Sequence, residues 1–318
     1  MQIVILDAYS VNPGDIDWEP IRALGDLTIY DHTAPDQIGE RLKNADAAFT
    51  NRARLGEAEF SQSPNLRFLG LFATGYDKID LLAARRHNVA VCNAPGYSTD
   101  AVAQHTIALL LELTNRTRAL DTELRKGRWT QHKGDCVWDA PMIELTGKTF
   151  GILGTGAIGC QTARIASALG MRVIGHSRKL RAEFLGSYVS LDELFRQSDV
   201  LSLHCAATPE TREIVNRASL STMKHSAILI NTARGALVDS AALAEALNSG
   251  TIYAAGLDVV DREPIQPENP LLFAKNCLIT PHAAWLPSDV RKRVVALAAD
   301  NLHAFLNHQR LNRVDLEG

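Results

Sequence analysis

The chain has 318 residues, 46% of them hydrophobic and 22% charged, and its 33 Lys and Arg against 36 Asp and Glu leave a formal net charge of −3. That balance excludes a disordered chain and offers no overall attraction to phosphate backbones or anionic lipid, so neither nucleic acid nor a membrane is an expected partner. The length exceeds what one hydrophobic core usually fills, which predicts two domains.

The opening "MQIVILD" carries a short apolar run without a basic flank, so it reads as a buried strand and not as a signal peptide. From there to about residue 95 the runs "IVIL", "LTIY", "AAF", "RFLGLF" and "VAVC" alternate with helical segments such as "PDQIGERLKNA" and "DLLAARRH". Strands that alternate with helices imply right-handed crossovers and a parallel sheet, hence a first α/β domain. Residues 98–129 form a long run of helix formers behind a Ser/Thr/Asp start, a bridge between domains. Within it, "IALLLEL" at 107–113 is too short to span a bilayer. The turn-rich, aromatic "QHKGDCVWDAPMIELTG" that follows reads as loop.

A second α/β series starts at "TFGIL" and continues through "RVIGH", "VLSLH", "AILIN", "AAGLDV" and "CLIT", six strand candidates, as a complete dinucleotide-binding sheet uses. Gly154-x-Gly156-x-x-Gly159 stands directly between the first of these and an amphipathic helix. In that context Gly154 serves the tight turn, Gly156 the approach of a pyrophosphate and Gly159 helix-on-strand packing, while the helix N-terminus faces the phosphates. An NAD site expects a carboxylate at the end of the next strand, but the sequence there reads "RVIGHSRKLR". Ser177, Arg178 and Lys179 favour a 2′-phosphate, hence NADP over NAD; a solvated turn is the plain alternative.

Two more strands end in polar residues: Asn231, Thr232, Ala233 and Arg234 before Gly235, and Asp258 leading to Glu263. His282, in "LITPHAAW", follows the last strand. A lone histidine there fits a core residue, a metal ligand or an acid-base group. The ten histidines form no H-E-x-x-H and join no Cys/His cluster with zinc spacing, so no metal is expected. The five cysteines are odd in number, scattered and without C-x-x-C, which fits a reducing cytoplasm. Arg234, Glu263 and His282 at successive strand tips are expected to converge on one crevice beyond the sheet's carboxyl edge. The final stretch, "PSDVRKRVVALAADNLHAFLNH", spaces Val294, Val295, Leu297, Ala298, Leu302, Phe305 and Leu306 as one helix face behind a Ser288 or Asp289 cap.

Taken in order and spacing, "ATGYDKID", "NAPGYSTDAVAQHT", "GILGTGAIG", "LHCAATPET", "NTARG", "GLDVVDREP" and "TPHAAW" resemble the D-isomer-specific 2-hydroxyacid dehydrogenase family over essentially the whole chain. Within it, "LDAYSVNPGDIDW" and "PGYSTDAVAQHT" are most similar to its glycerate dehydrogenase/hydroxypyruvate reductase members. The resemblance implies two doubly wound parallel-sheet domains: a Rossmann coenzyme domain, 101–285, inserted into a flavodoxin-like substrate domain made of 1–100 and 286–318. It implies a homodimer that transfers hydride between NAD(P) and a small 2-oxo or 2-hydroxy acid, hydroxypyruvate or glyoxylate foremost. Arg234 would then hold the substrate carboxylate and oxo group, His282 act as general acid, and Glu263 fix the imidazole tautomer. Backbone N–H groups of Thr74, Gly75 and Tyr76 would bind the carboxylate, with Arg52 either reaching the same cleft or simply an exposed loop residue. Thr106, Ala157, Ile158, Ala206, Thr211, Thr232, Ala233 and Asp258 match positions that touch the dinucleotide. Two departures stand out: Ala206 replaces the family's usual proline, and Trp285 replaces a smaller residue, to narrow a pocket or merely to pack.

Competing readings remain within and beyond enzymes. A dehydrogenase for another 2-hydroxy acid such as D-lactate is an alternative within the same family. Formate dehydrogenase resembles the fold but pairs its histidine with glutamine, against Glu263 here, and many phosphoglycerate dehydrogenases add a regulatory domain. Dinucleotide-dependent corepressors resemble the same fold as interaction proteins, and the Arg, Glu and His together speak for an enzyme instead.

Overall fold

A computed structural model describes residues 1–132, 134–137 and 141–316. The chain divides into two compact units, Met1–Ser98 together with the chain from Trp285 on, and Thr99–Ala284. Both are α/β with an all-parallel sheet.

In the first unit β1 (Gln2–Ile5), β2 (Asp26–Ile29), β3 (Ala47–Thr50), β4 (Phe68–Leu71) and β5 (Ala90–Cys92) lie in the order β2-β1-β3-β4-β5, which is the flavodoxin-like order. The inner strands β3 and β4 are buried at every residue, so they read as unbroken apolar runs, whereas edge strand β2 alternates exposed and half-buried positions. Phe49 stacks on Phe72 and meets Phe68 edge-on at the centre. The helix Ser288–Leu306 packs on this sheet through Phe305 against Phe68, and its Val294, Val295, Ala298 and Leu302 are buried as their spacing predicts, while Leu306 is exposed. Neither expected cap forms. The helix starts at Ser288 itself, directly behind Pro287, with no side-chain bond to its first turn. Ser288 is therefore already inside the helix, and Asp289 complements the positive end of the helix dipole instead.

The second unit holds β6 (Thr149–Leu153), β7 (Arg172–His176), β8 (Ser187–Tyr188), β9 (Val200–Leu203), β10 (Ile228–Asn231), β11 (Ala254–Leu257) and β12 (Cys277–Ile279), ordered β12-β11-β10-β9-β6-β7-β8. This is the Rossmann order with one extra strand at the far edge. Six of the strands are those the apolar runs mark; β8 has two residues, too few for any period to register. The order reverses between β6 and β9, the switch point beyond which such sheets bind ligands.

The long helical run of 98–129 is two helices, Thr99–Asn115 and Thr117–Arg125. Arg116 between them sits at φ +53°, a left-handed residue that terminates the first helix while its N–H still bonds the Glu112 carbonyl. Of the expected loop 131–147, the described part holds turns and bends but no helix or strand; Lys133 and Trp138 to Ala140 lie outside the described residues. Among the described residues no helix is long and apolar enough to cross a membrane.

Candidate active site

The turn after β6 has the shape a pyrophosphate needs. Gly154 adopts φ +98°, and a Cβ there would meet the backbone of His204 and Cys205 at 2.6–2.8 Å, so only glycine fits where the β6 and β9 loops part. A Cβ on Gly159 would stand 2.2 Å from the Gly154 carbonyl oxygen, which is the close helix-to-turn packing the spacing implies. Gly156, by contrast, faces open space and caps the helix Ala157–Ala168 without a side-chain bond. The first-turn N–H groups of that helix, around exposed Ala157 and half-buried Ile158, are thus presented to whatever occupies the space before Gly156. This geometry fits a dinucleotide. At the end of β7, Ser177 is half-buried, and Arg178 and Lys179 are exposed with no carboxylate between them and the strand.

The loop after β9 carries Ala206 and Thr211. Thr211 Oγ1 donates to the Ala206 carbonyl at 2.7 Å and accepts from Thr208 N–H at 2.8 Å, so the hydroxyl shapes the loop that lacks the family's proline. Thr106 and Thr232 are buried and share a 2.8 Å hydroxyl contact. Because Thr106 Oγ1 already donates to the Val102 carbonyl, Thr232 must be the donor of that pair, which pins the tip of β10 to the helix Thr99–Asn115.

Next to it, buried Asn231 folds the chain back on itself: its Oδ1 accepts from Ala233 N–H at 3.0 Å and its Nδ2 donates to the Arg234 carbonyl at 2.9 Å. Arg234 is thereby turned off the strand, with Nη1 donating to the Ala233 carbonyl. A Cβ on the following Gly235 would overlap the Val260 carbonyl at 1.9 Å, so the Arg234 loop and the 258–263 loop press backbone to backbone. Glu263, on that second loop, accepts from His282 Nδ1 at 2.7 Å. A carboxylate only accepts, so Nδ1 carries a proton and Nε2 is the nitrogen left to give or take one. Both side chains are about one quarter exposed, at 29% and 26%, which leaves them reachable. The structure therefore brings Arg234, Glu263 and His282 to the carboxyl ends of the adjacent strands β10, β11 and β12.

What holds His282 there was not visible in the motifs. Its backbone is left-handed at φ +56°, an uncommon state for a residue with a side chain. Asp258, 1% exposed, fixes it: the Asp258 carbonyl accepts from His282 N–H at 2.8 Å, and its carboxylate accepts from Ala283 N–H at 2.7 Å, Ala284 N–H at 2.9 Å and Thr280 Oγ1 at 2.6 Å. Thr280 has one proton and spends it on Asp258, so His105 Nε2, 3.0 Å from Thr280 Oγ1 and 3.4 Å from the carboxylate, must be the donor to both. Burial by itself raises the Asp258 carboxyl, but the His105, Thr280, Ala283 and Ala284 donors outweigh it and hold the group below the usual carboxylate range. Asp258 itself was marked by its place at a strand tip; its partners were signalled only by a histidine inside an apolar helical run and a threonine at another strand tip.

In the other unit, Thr74 Oγ1 donates to the Ala94 carbonyl and the Thr74 carbonyl accepts from Asn93 Nδ2 at 2.7 Å. Tyr76 is 45% exposed. Arg52 belongs to a loop organised by Asp7, whose carboxylate accepts from Thr50 Oγ1 and from the N–H groups of Asn51, Arg52 and Ala53. Trp285 is buried and packs edge-on against Tyr97, a packing role. Among the described residues no group of three or more His, Cys, Asp or Glu is placed to hold a metal ion.

Residues 107–284, which contain the glycine turn and the three strand tips, match the family model of the D-isomer specific 2-hydroxyacid dehydrogenase NAD binding domain. The hydroxypyruvate reductase of Blautia hydrogenotrophica is 43% identical over 99% of this chain and 100% of its own. The chain belongs to the D-isomer specific 2-hydroxyacid dehydrogenase family. Another similar family protein is the glyoxylate reductase of Aeropyrum pernix, 41% identical over 88% of this chain and 86% of its own. Among solved structures, an acyclic imino acid reductase in complex with NADPH and D-Arg superposes with a TM-score of 0.88 at 29% identity, covering 99% of this chain and 100% of that one. Family membership accounts for the nicotinamide dinucleotide fold and for an oxidoreductase of 2-hydroxy acids.

Proposed function

We propose that this dehydrogenase reduces hydroxypyruvate, or glyoxylate, to the corresponding 2-hydroxy acid with NADPH. The observation that carries the reading is the His282–Glu263 pair, 2.7 Å apart and partly exposed at the strand tips of a sheet whose first turn suits a dinucleotide. The unit Thr99–Ala284 is the coenzyme domain in this reading, and the other unit the substrate domain.

When bound, the reduced nicotinamide supplies a hydride to the carbonyl carbon of the oxo acid. His282, its Nδ1 proton engaged by Glu263, gives the Nε2 proton to the carbonyl oxygen and recovers it in the oxidation direction. Arg234 holds carboxylate and oxo group with its planar guanidinium, a geometry a lysine does not reproduce. In the other unit, the backbone N–H groups of Thr74, Gly75 and Tyr76 are our candidates for binding a substrate carboxylate. Gly156 and the N–H groups at Ala157 and Ile158 hold the pyrophosphate, in a turn whose close packing Gly154 and Gly159 permit, and the buried Thr106–Thr232 pair supports the tip of β10. Arg178 and Lys179 receive a 2′-phosphate beside Ser177, where an NAD enzyme carries an acid.

The protein is assigned as a cytoplasmic homodimer. Exposed Leu124, Trp129 and Met142 supply apolar surface for a second copy, and thiols without disulfides suit a reducing compartment. The deciding experiment is a matrix of hydroxypyruvate, glyoxylate, pyruvate and phenylpyruvate against NADPH and NADH, with sedimentation for the dimer. Hydroxypyruvate or glyoxylate with NADPH is the expected best pair. Pyruvate as best substrate overturns the substrate assignment, and a strong preference for NADH overturns the reading of Ser177, Arg178 and Lys179.

A further inference from the structure

We propose that Asn93, Asn301 and Asn312 form a buried amide relay that aims the Gly75 N–H at the substrate carboxylate. They are positioning residues for oxo-acid binding, remote from the reacting atoms. The inference rests on the functional reading above; it gives a task to Asn93, the first residue of "NAPGYSTDAVAQHT", and adds Asn301 and Asn312, which no motif marked.

The relay lies wholly within one unit and every link is a hydrogen bond. Asn312 Nδ2 donates to Asn301 Oδ1 at 2.8 Å, Asn301 Nδ2 donates to the Asn93 carbonyl at 2.8 Å, and Asn93 Nδ2 donates to the Thr74 carbonyl at 2.7 Å. The Asn93 N–H returns to the Asn312 carbonyl at 3.1 Å, so the segment around 312 is stitched to β5 from both sides. Asn301 is 1% and Asn93 8% exposed. Amides so deep in an α/β core cost free energy unless all their bonds are made, and apolar side chains fill such space at lower cost. Polarity at these positions therefore calls for a reason other than packing.

The reason is where the chain of bonds ends. In a trans peptide the C=O of one residue and the N–H of the next lie in one plane and point in opposite directions. Gripping the Thr74 carbonyl from inside the unit thus sets the direction of the Gly75 N–H, which has no acceptor among the described residues. The neighbouring carbonyls are held the same way, Phe72 by Asn51 Nδ2 at 2.7 Å and Ala73 by Ala94 N–H at 2.9 Å. Asn301 grips the backbone carbonyl of Asn93 while the Asn93 side-chain amide grips Thr74, so a break at Asn312 or Asn301 reaches Thr74 only through the position of residue 93 and is felt more weakly than a break at Asn93 itself.

The test uses the full-length protein with Asn93→Ala, Asn301→Leu and Asn312→Ala. Wild-type turnover with hydroxypyruvate or glyoxylate is measured first; if it is absent, the functional reading fails and this inference falls with it. Given wild-type activity, the expected result is a graded rise in KM for the oxo acid. The rise is on the order of tenfold for Asn93→Ala and about threefold for Asn312→Ala, with Asn301→Leu between. Cofactor Kd stays within twofold in all three. A fall in melting temperature with unchanged KM for the oxo acid in a folded variant overturns the proposal, because that is what a purely structural amide does. Asn312→Ala, at the half-buried end of the relay, decides the matter if the deeper variants do not fold.

Discussion

At the scale of single residues, His282 combines two constraints that pull against each other. Its ring must be reachable, and it is 29% exposed, yet its backbone is held in the left-handed region by bonds to Asp258 and Thr280. Replacing the proposed acid by alanine is expected to lower kcat by about 10²–10⁴-fold while the cofactor still binds. Glu263→Gln keeps a hydrogen-bond acceptor beside Nδ1 but loses the charge, so its kcat falls less than that of His282→Ala. Stopped-flow turnover alongside cofactor fluorescence titration separates chemistry from binding, and full activity in His282→Ala ends the acid–base assignment. Asp258 makes a prediction about pH. Its carboxyl is held below the ordinary range in the fold, so it stabilises the native state above the unfolded value of about 3.9 and loses that contribution as pH falls through the folded value. Asn at 258 has one acceptor oxygen for donors that now meet two, and its amide opposes a backbone N–H. Asp258→Asn should therefore cost about 1–3 kcal/mol at pH 7. The gap to wild type should close at acid pH; urea melts at pH 7 and pH 3 check it, and a gap that widens with acid contradicts it.

Elements explain which parts of the site were legible. The glycine turn was readable because its three demands, a positive φ, an open face and a close helix, fall within six residues of one another at Gly154, Gly156 and Gly159. Strand tips were readable for the same reason: each polar residue directly follows an apolar run. The bonds that tie Asp258 to Thr280 and His105, and the asparagine relay, were not, because they join positions far apart in sequence by side-chain geometry that leaves no period. Nor did helix propensity reveal the break at Arg116 or the start of the last helix at Ser288, since both follow from backbone angles at one residue. Gly235 is the counterpart of Gly154 on the catalytic side, and its negative φ gave no warning. Gly235→Ala drives a methyl group into the Val260 carbonyl and is expected to destabilise the fold by about 3 kcal/mol while separating the Arg234 and Glu263 loops. Thermal melts and kcat/KM of that variant should fall together; a stable but inactive protein would show that the loops part without cost to the core.

Across the whole molecule the thiols report on packing. Burial pushes Cys92 and Cys277 up to about 12 and Cys205 up to about 11, and raises Cys160 as well, whereas Cys136 is exposed. A thiol reagent at neutral pH should label Cys136 promptly, the partly exposed Cys205 and Cys277 more slowly, and the buried Cys92 and Cys160 only on unfolding; rapid labelling of Cys92 or Cys160 in the native protein would mean that one core is looser than described.

The division of the chain also bears on how it is made. A ribosome delivers β1 to β5 early, but the helix Ser288–Leu306 that packs on their sheet, and the 312–315 segment that pairs with β5, emerge only after the entire intervening unit. For that interval a nascent sheet rich in phenylalanine waits without one of its coverings. Thr99–Ala284, contiguous in sequence, has no such wait, so it matures first and the half synthesised earliest is the last to close.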